Sequence, residues 1–163
     1  MLPDHQPNVV RRKIRPFRAV DADSIFGLLR DSAEAAQWPL ASYAQLADSP
    51  GGLLLVCELQ PNAQLVGFLA ARCAVDEAEI LNIAVHPEFR RTGVASALLR
   101  SAIEQFRRSA VVHVFLELRP SNRPARALYE RLGFFPIGSR TAYYRQPTED
   151  ALCMQKKLLT ASL

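Results

Sequence analysis

Ile80-Leu81-Asn82-Ile83-Ala84-Val85-His86-Pro87-Glu88-Phe89-Arg90-Arg91-Thr92-Gly93-Val94-Ala95 reads as a strand, a short loop and the start of a helix. The aliphatic run to Val85 suits a buried strand, and His86-Pro87 breaks it. From Gly93 onward, Val94, Ala95, Leu98, Leu99, Ala102, Ile103 and Phe106 fall on one apolar face at helical spacing. The first turn of such a helix has unpaired N–H groups and the positive end of the helix dipole, which together favour an anion. Gly93 and the small Ala95 let a ligand approach the backbone, and Arg90 and Arg91 add positive charge. This arrangement suits a pyrophosphate. The segment is not G-x-x-x-x-G-K-[ST], which excludes a nucleoside-triphosphate loop, and it is not G-x-G-x-x-G, which argues against a dinucleotide fold. A single glycine at a strand–helix junction serves equally well as a tight turn.

Toward the N-terminus of this segment, the pattern predicts strands at Lys13–Ala19, Leu53–Cys57, Leu65–Ala74 and Glu79–Val85. Asp21 is placed to cap a helix carrying Ile25, Leu28 and Leu29, and a second short helix covers Leu40–Ala47 before Ser49-Pro50-Gly51-Gly52. Toward the C-terminus, Val111–Leu118 is a strand. Ser121 is a candidate cap, and Pro124 fits the first turn of a helix that buries Ala125, Leu128, Tyr129 and Leu132 and stops at Gly133. Strands at Phe134–Tyr144 and Ala151–Leu159 close the chain. The order β-α-α-β-β-β-α-β-α-β-β predicts an α/β domain with a mixed sheet. Residues 1–8 read as a tail and residues 9–163 as one domain, with no internal repeat or linker.

The 163 residues are 49% apolar and 22% charged, a globular composition. No apolar run approaches the ~20 residues that span a bilayer, and the N-terminal residues lack a secretory apolar core. Cys57, Cys73 and Cys153 are odd in number and widely spaced, which predicts reduced thiols in a cytoplasmic protein and no metal cluster. The net charge of +4 first suggests a polyanion partner. Its distribution is uneven. Residues 21–85 carry nine acids against two arginines, whereas residues 86–131 carry nine arginines against four glutamates. That division predicts an anion on one side and a cation on the other, although a solvated mixed-charge surface produces the same pattern.

Arg90-Arg91-Thr92-Gly93-Val94-Ala95 resembles the [Q/R]-x-x-G-x-[G/A] motif of the GNAT superfamily of N-acetyltransferases, and Asn82 to Pro87 resembles that superfamily's preceding strand. The resemblance implies the GNAT fold, a mixed and mostly antiparallel sheet of about seven strands flanked by four helices. It also implies acetyl-CoA as acetyl donor and no metal. Ile83, Ala84 and Val85 would then contact the acetyl-pantetheine end. Arg90, Arg91, Thr92, Gly93, Val94, Ala95 and Ser96 would form the phosphate cradle, with Ala95 standing where many members have glycine.

The stretch Leu116-Glu117-Leu118-Arg119-Pro120-Ser121-Asn122, continuing through Ala125, Leu128-Tyr129 and Gly133-Phe134, is similar to that of the RimI-type ribosomal-protein alanine N-acetyltransferases. So are Arg140 to Tyr144, Glu149-Asp150-Ala151 with Met154, and Gln37-Trp38-Pro39. Acetylation needs a neutral amine, and a free α-amine has a pKa of about 7.7–8.0. A carboxylate accepts its proton and a hydroxyl serves the leaving thiolate. The resemblance implies Glu117 as general base, Tyr129 as general acid and Asn122 as a contact to the CoA arm. It implies Trp38, Tyr143 and Tyr144 as acceptor contacts, and direct transfer in a ternary complex. Read without the resemblance, Glu117 also fits a strand-end ion pair with Arg119, Tyr129 fits a core aromatic, and Tyr143-Tyr144 fits a hairpin pair.

The expected acceptor is the N-terminal amine, alanine first, of a ribosomal protein, whose basic tail suits the acidic half of the chain. A small-molecule amine or a lysine side chain is the alternative acceptor. A non-catalytic CoA-binding or ribosome-associated module is a second alternative. No membrane is expected, since the apolar runs are too short, and no direct nucleic-acid contact is expected, because the basic N-terminal strand lacks an aromatic stacking platform.

Overall fold

The computed structural model describes residues 11–159; the predicted tail, residues 1–8, lies outside them. Seven strands form one sheet in the order β1-β2-β3-β4-β5-β7-β6. They are β1 (Arg11–Pro16), β2 (Gly52–Gln60), β3 (Gln64–Ala74), β4 (Glu77–Val85), β5 (His113–Leu118), β6 (Phe135–Arg145) and β7 (Thr148–Lys157). The helices are α1 (Ala22–Arg30), α2 (Leu40–Asp48), α3 (Val94–Arg108) and α4 (Arg123–Arg131). This is the expected element order. Among the described residues, only β4 and β5 pair in parallel; every other neighbouring pair is antiparallel.

Each face of the sheet buries a separate core. On one, Leu98, Leu99, Ala102 and Phe106 of α3 and Tyr129 of α4 pack on Leu69, Ile80, Val114, Leu116 and Met154. On the other, Ile25, Leu28 and Leu29 of α1 and Tyr43 of α2 pack on Leu54, Val56, Phe68 and Ala84. These are the apolar stripes that the helical spacing predicts.

Beneath α1, the sequence reading changes. Asp21 stands just before the helix but does not cap it with its side chain. Its carboxylate instead takes Arg15 Nη1 and Nη2 at 2.7 and 2.9 Å and the Arg18 N–H at 2.7 Å. Arg15 Nε donates to Glu58 at 2.8 Å, and all three side chains are buried. A cation under a helix cannot be left unpaired, so the acid at the cap position goes to Arg15. The guanidinium in turn holds the Asp21 carboxyl below the usual carboxylate range.

The strand that decides the fold has one irregularity. Ala70 pairs with Asn82 and Ala71 with Ile80, which leaves Leu81 as an extra residue. Such a bulge reverses the alternation of faces. Ala78 and Ile80 accordingly face the α3 core, whereas Ala84 faces the α1–α2 core.

Candidate active site

β4 and β5 pair only from Glu77↔His113 to Ile80↔Leu116. Past that point β4 keeps its partner β3 through Val85, and β5 keeps β7 through Leu118. The two strands therefore part, and the edge of β4 from Leu81 to Val85 that would face β5 has no strand partner among the described residues. Ile83 and Val85 are half-buried beside this gap, while Ala84 is buried. Apart from the Val85 carbonyl, which takes Arg90 Nε, backbone groups along this edge are thus available to a bound molecule.

Just beyond β4 the chain makes a single 3₁₀ turn at Pro87–Phe89 and enters α3. Arg91 and Gly93 have φ of 59° and 89°, both left-handed. Gly93 occupies the cap position of α3, where a glycine meets the left-handed requirement without strain. No acidic residue lies in the first turn of α3. A Cβ on Gly93 would come within 3.2 Å of Arg12 Nη1, so an arginine of β1 overhangs this turn. Thr92 closes the loop by donating its hydroxyl to the Phe89 carbonyl at 2.6 Å. Open helix amides, a bare glycine and a neighbouring guanidinium fit the phosphates of a CoA-type molecule. Arg12 escapes sequence reasoning because it is distant in the chain. Arg90, grouped by sequence with the cradle, directs its side chain elsewhere. Its Nε donates to the Val85 carbonyl, and its other nitrogens go to the loop after α1.

On the α1–α2 side of the sheet, β5 presents His113, Phe115 and Glu117, since Val114, Leu116 and Leu118 point into the α3 core. Glu117 lines a cleft of about 610 Å³ together with Arg72, Glu79, Phe115, Ile137 and Cys153. Its side chain is 15% exposed, and Arg140 Nε of β6 lies 2.7 Å from Oε1. The ion-pair partner is therefore Arg140, not the neighbouring Arg119 that the sequence suggests. Arg140 also overhangs the Tyr143 ring at 5.7 Å. Hydrogen bonding toward Glu117, followed by burial, raises the Tyr143 hydroxyl above its usual pKa.

The other expected hydroxyls lie close by. Tyr129 is 5% exposed and packs edge-on against Phe134, with ring centroids 5.7 Å apart. Burial and the adjacent Tyr144 raise its pKa, which keeps it protonated at neutral pH. No buried polar side-chain atom lacks a partner among the described residues, and no hydrogen bond to this hydroxyl is found among them. Tyr144 meets Tyr143 edge-on at 5.1 Å and lies under Arg119 at 4.2 Å. Burial, and then Tyr143 and Glu117, push its hydroxyl up to about 12.

Two polar anchors that the sequence reading did not assign hold this hairpin. Glu149 accepts from the Ser121 N–H at 2.7 Å and from Ser121 Oγ at 2.8 Å, and pairs with Arg119 at 3.4 Å. Ser121 is thus tied to the hairpin, and Asn122 replaces it as cap of α4 by accepting from the Ala125 N–H at 3.2 Å. Trp38 lies in the α1–α2 loop, tilted against Tyr43 at 5.2 Å. Its ring also lines a second, shallower cleft with Ser42 and Leu46. Cys57 is buried, Cys73 and Cys153 are half-buried, and all three are free thiols. No group of three or more metal-ligating side chains occurs among the described residues. None of their helices is long and apolar enough to cross a membrane.

Comparison with known proteins agrees with this geometry. The family model of the acetyltransferase (GNAT) family matches residues 22–134. The [ribosomal protein bS18]-alanine N-acetyltransferase of Escherichia coli K12 is 36% identical over 130 residues, covering 77% of this chain and 84% of that protein. The Haemophilus influenzae protein of the same name is 32% identical over 144 residues, covering 86% and 95%. The crystal structure of the E. coli ribosomal-protein-S18-alanine N-acetyltransferase superposes with a TM-score of 0.80 at 29% identity, over 93% of this chain and 97% of that one. The parted strands, the glycine-capped helix and the sequence match over most of the chain lead to one conclusion: this chain belongs to the GNAT family of acetyltransferases.

Proposed function

We propose that this enzyme acetylates the N-terminal α-amine of a small-subunit ribosomal protein of the bS18 type, alanine first, in the cytoplasm. The observation that carries this reading is the likeness, over most of both chains, to relatives bearing that name. Glu117 at the mouth of the β4–β5 gap supports it. Acetyl-CoA supplies the acetyl group as a thioester.

The chain's own residues divide the remaining work. The cradle amides of residues 91–96 and the overhanging Arg12 hold phosphate charge at the start of α3. The gap-side backbone edge at Ile83 and Val85 positions the arm and directs an N–H at the carbonyl oxygen as negative charge develops there. Glu117 takes the proton of the incoming amine. Arg140 occupies that carboxylate in the structure, so an acceptor ammonium competes with a guanidinium already seated there. Tyr129, kept protonated by burial, donates to the departing sulfur. Tyr143, Tyr144 and Trp38 border the acceptor path.

The test is mass spectrometry of an alanine-first bS18 N-terminal peptide incubated with acetyl-CoA and the enzyme, beside polyamines and an internal-lysine peptide. Acetylation confined to the N-terminal amine supports the reading. Turnover of the polyamines or lysine alone overturns it. Glu117→Gln is expected to lower kcat about 10²–10⁴-fold with acetyl-CoA affinity unchanged, and an unaltered rate would remove Glu117 from its role.

A further inference from the structure

We propose that Arg90 is a positioning residue for the acceptor side of the site, and that its side chain does not bind the cofactor's phosphates. This rests on the acetyltransferase reading above and assigns a further residue to it. The motif position suggests a phosphate ligand, since Arg90 opens the cradle sequence. The side chain leaves in the opposite direction. Its Nε donates to the Val85 carbonyl at 3.2 Å. Its Nη2 donates to the Asp31 carbonyl at 3.1 Å and to Ser32 Oγ at 3.3 Å, and its Nη1 reaches Glu34 at 3.4 Å. One planar fork thus joins the end of β4 to the loop between α1 and α2. The Glu34 contact is exposed at both ends and contributes little. The bonds to the two carbonyls and to Ser32, whose residue is 2% exposed, set the geometry.

A second, independent contact holds the same loop from inside. Asn82 is 6% exposed and faces α2 because of the bulge at Leu81. Its Oδ1 accepts from the Ala36 N–H at 3.1 Å, and its Nδ2 donates to the Ala36 carbonyl at 2.8 Å and to the Tyr43 hydroxyl at 2.7 Å. Asn82 and Arg90 flank Ile83, Ala84 and Val85 in the chain. The loop that carries Trp38 is therefore referenced, at both of its halves, to the strand segment beside the β4–β5 gap. A thioester held along that strand and an amine guided by that loop keep a fixed relation, and small misplacements there weaken productive binding. Gln37 Nε2 donates to the carbonyls of Leu29, Ser32 and Ala35, which ties the loop together and to the end of α1.

The test is Arg90→Gln in the full chain, with three readouts. They are the acetyl-CoA Kd by calorimetry without acceptor, kcat and KM for the alanine-first peptide, and amide hydrogen exchange over residues 31–39. Acceptor KM is expected to rise about tenfold, the equivalent of one or two lost charge-assisted hydrogen bonds. The acetyl-CoA Kd should stay within about twofold, with exchange faster at residues 32–36. Arg90→Lys, which retains the charge but not the fork, should restore acceptor KM only in part. An acetyl-CoA Kd raised about tenfold with exchange unchanged would overturn the proposal in favour of phosphate binding. Unchanged exchange together with unchanged acceptor KM would overturn it too. If no alanine-first peptide is acetylated, calorimetry and exchange still decide the matter, so failure of the substrate assignment is read separately.

Discussion

Replacing Asp21 with alanine removes one carboxylate that satisfies three donors: both terminal nitrogens of Arg15 and the Arg18 N–H. The guanidinium would stay buried with Glu58 as its remaining acid at 2.8 Å. Breaking a buried ion pair from one side costs about 3–5 kcal/mol. A chain of this length loses about 2–4 °C of Tm per kcal/mol. Asp21→Ala is therefore expected to lower Tm by roughly 6–20 °C in a calorimetric or fluorescence melt at pH 7. Replacing Arg15, Asp21 and Glu58 together by leucine or methionine should recover most of that loss, because no charge then remains to be desolvated. The pH dependence has a definite sign. The folded-state pKa of Asp21 is depressed, so its contribution is fully present above its unfolded value of about 3.9 and fades as pH falls through the folded one. The gap in Tm between wild type and Asp21→Ala should hold from pH 5 to 8 and narrow below about pH 4. A loss under about 3 °C, or a gap that does not narrow in acid, would refute the assignment of a desolvated ion cluster beneath α1.

Gly93→Ala places a Cβ on a residue at φ 89° and 3.2 Å from Arg12 Nη1; stability should fall by about 1 kcal/mol and acetyl-CoA binding should weaken severalfold by calorimetry. Arg12→Gln should raise the acetyl-CoA Kd about three- to tenfold at low salt, with the difference shrinking as ionic strength increases, because the guanidinium is exposed. A salt-independent difference would point to lost packing instead.

Much of this architecture is legible in the chain. Helical spacing identifies the faces of α1, α3 and α4, and the Gly93 motif identifies the left-handed turn into α3, because periodicity and backbone permissiveness are local properties. The destinations of long polar side chains are not local. Asp21 is a good cap by type, and only the cation brought beneath it by β1 explains its use. Ser121 is the candidate cap by sequence. Glu149, arriving from β7, takes Ser121 and leaves the capping to Asn122. The partner of Glu117 is Arg140 across one intervening strand, since β7 lies between β5 and β6 in the sheet. Strict alternation places Asn82 on the face of Ile80; one extra residue, Leu81, turns it to the other, where it meets Ala36.

The two outer margins of the sheet bear on how the molecule behaves at high concentration. Among the described residues, β1 and β6 each leave a row of backbone groups without a neighbouring strand, a template on which another chain can add. The two margins discourage this by different means. β1 sets Arg11, Arg12 and Lys13 in water and ends at Pro16, so an approaching copy meets its own charge. β6 carries Pro136 and breaks register twice against β7, so it offers no straight run of donors. The basic N-terminal strand, which by composition alone suggests nucleic acid, thus doubles as a guard against self-association. Among the described residues, a further stretch of open strand edge lies inside the molecule, between β4 and β5, where it is shielded from a second protein chain.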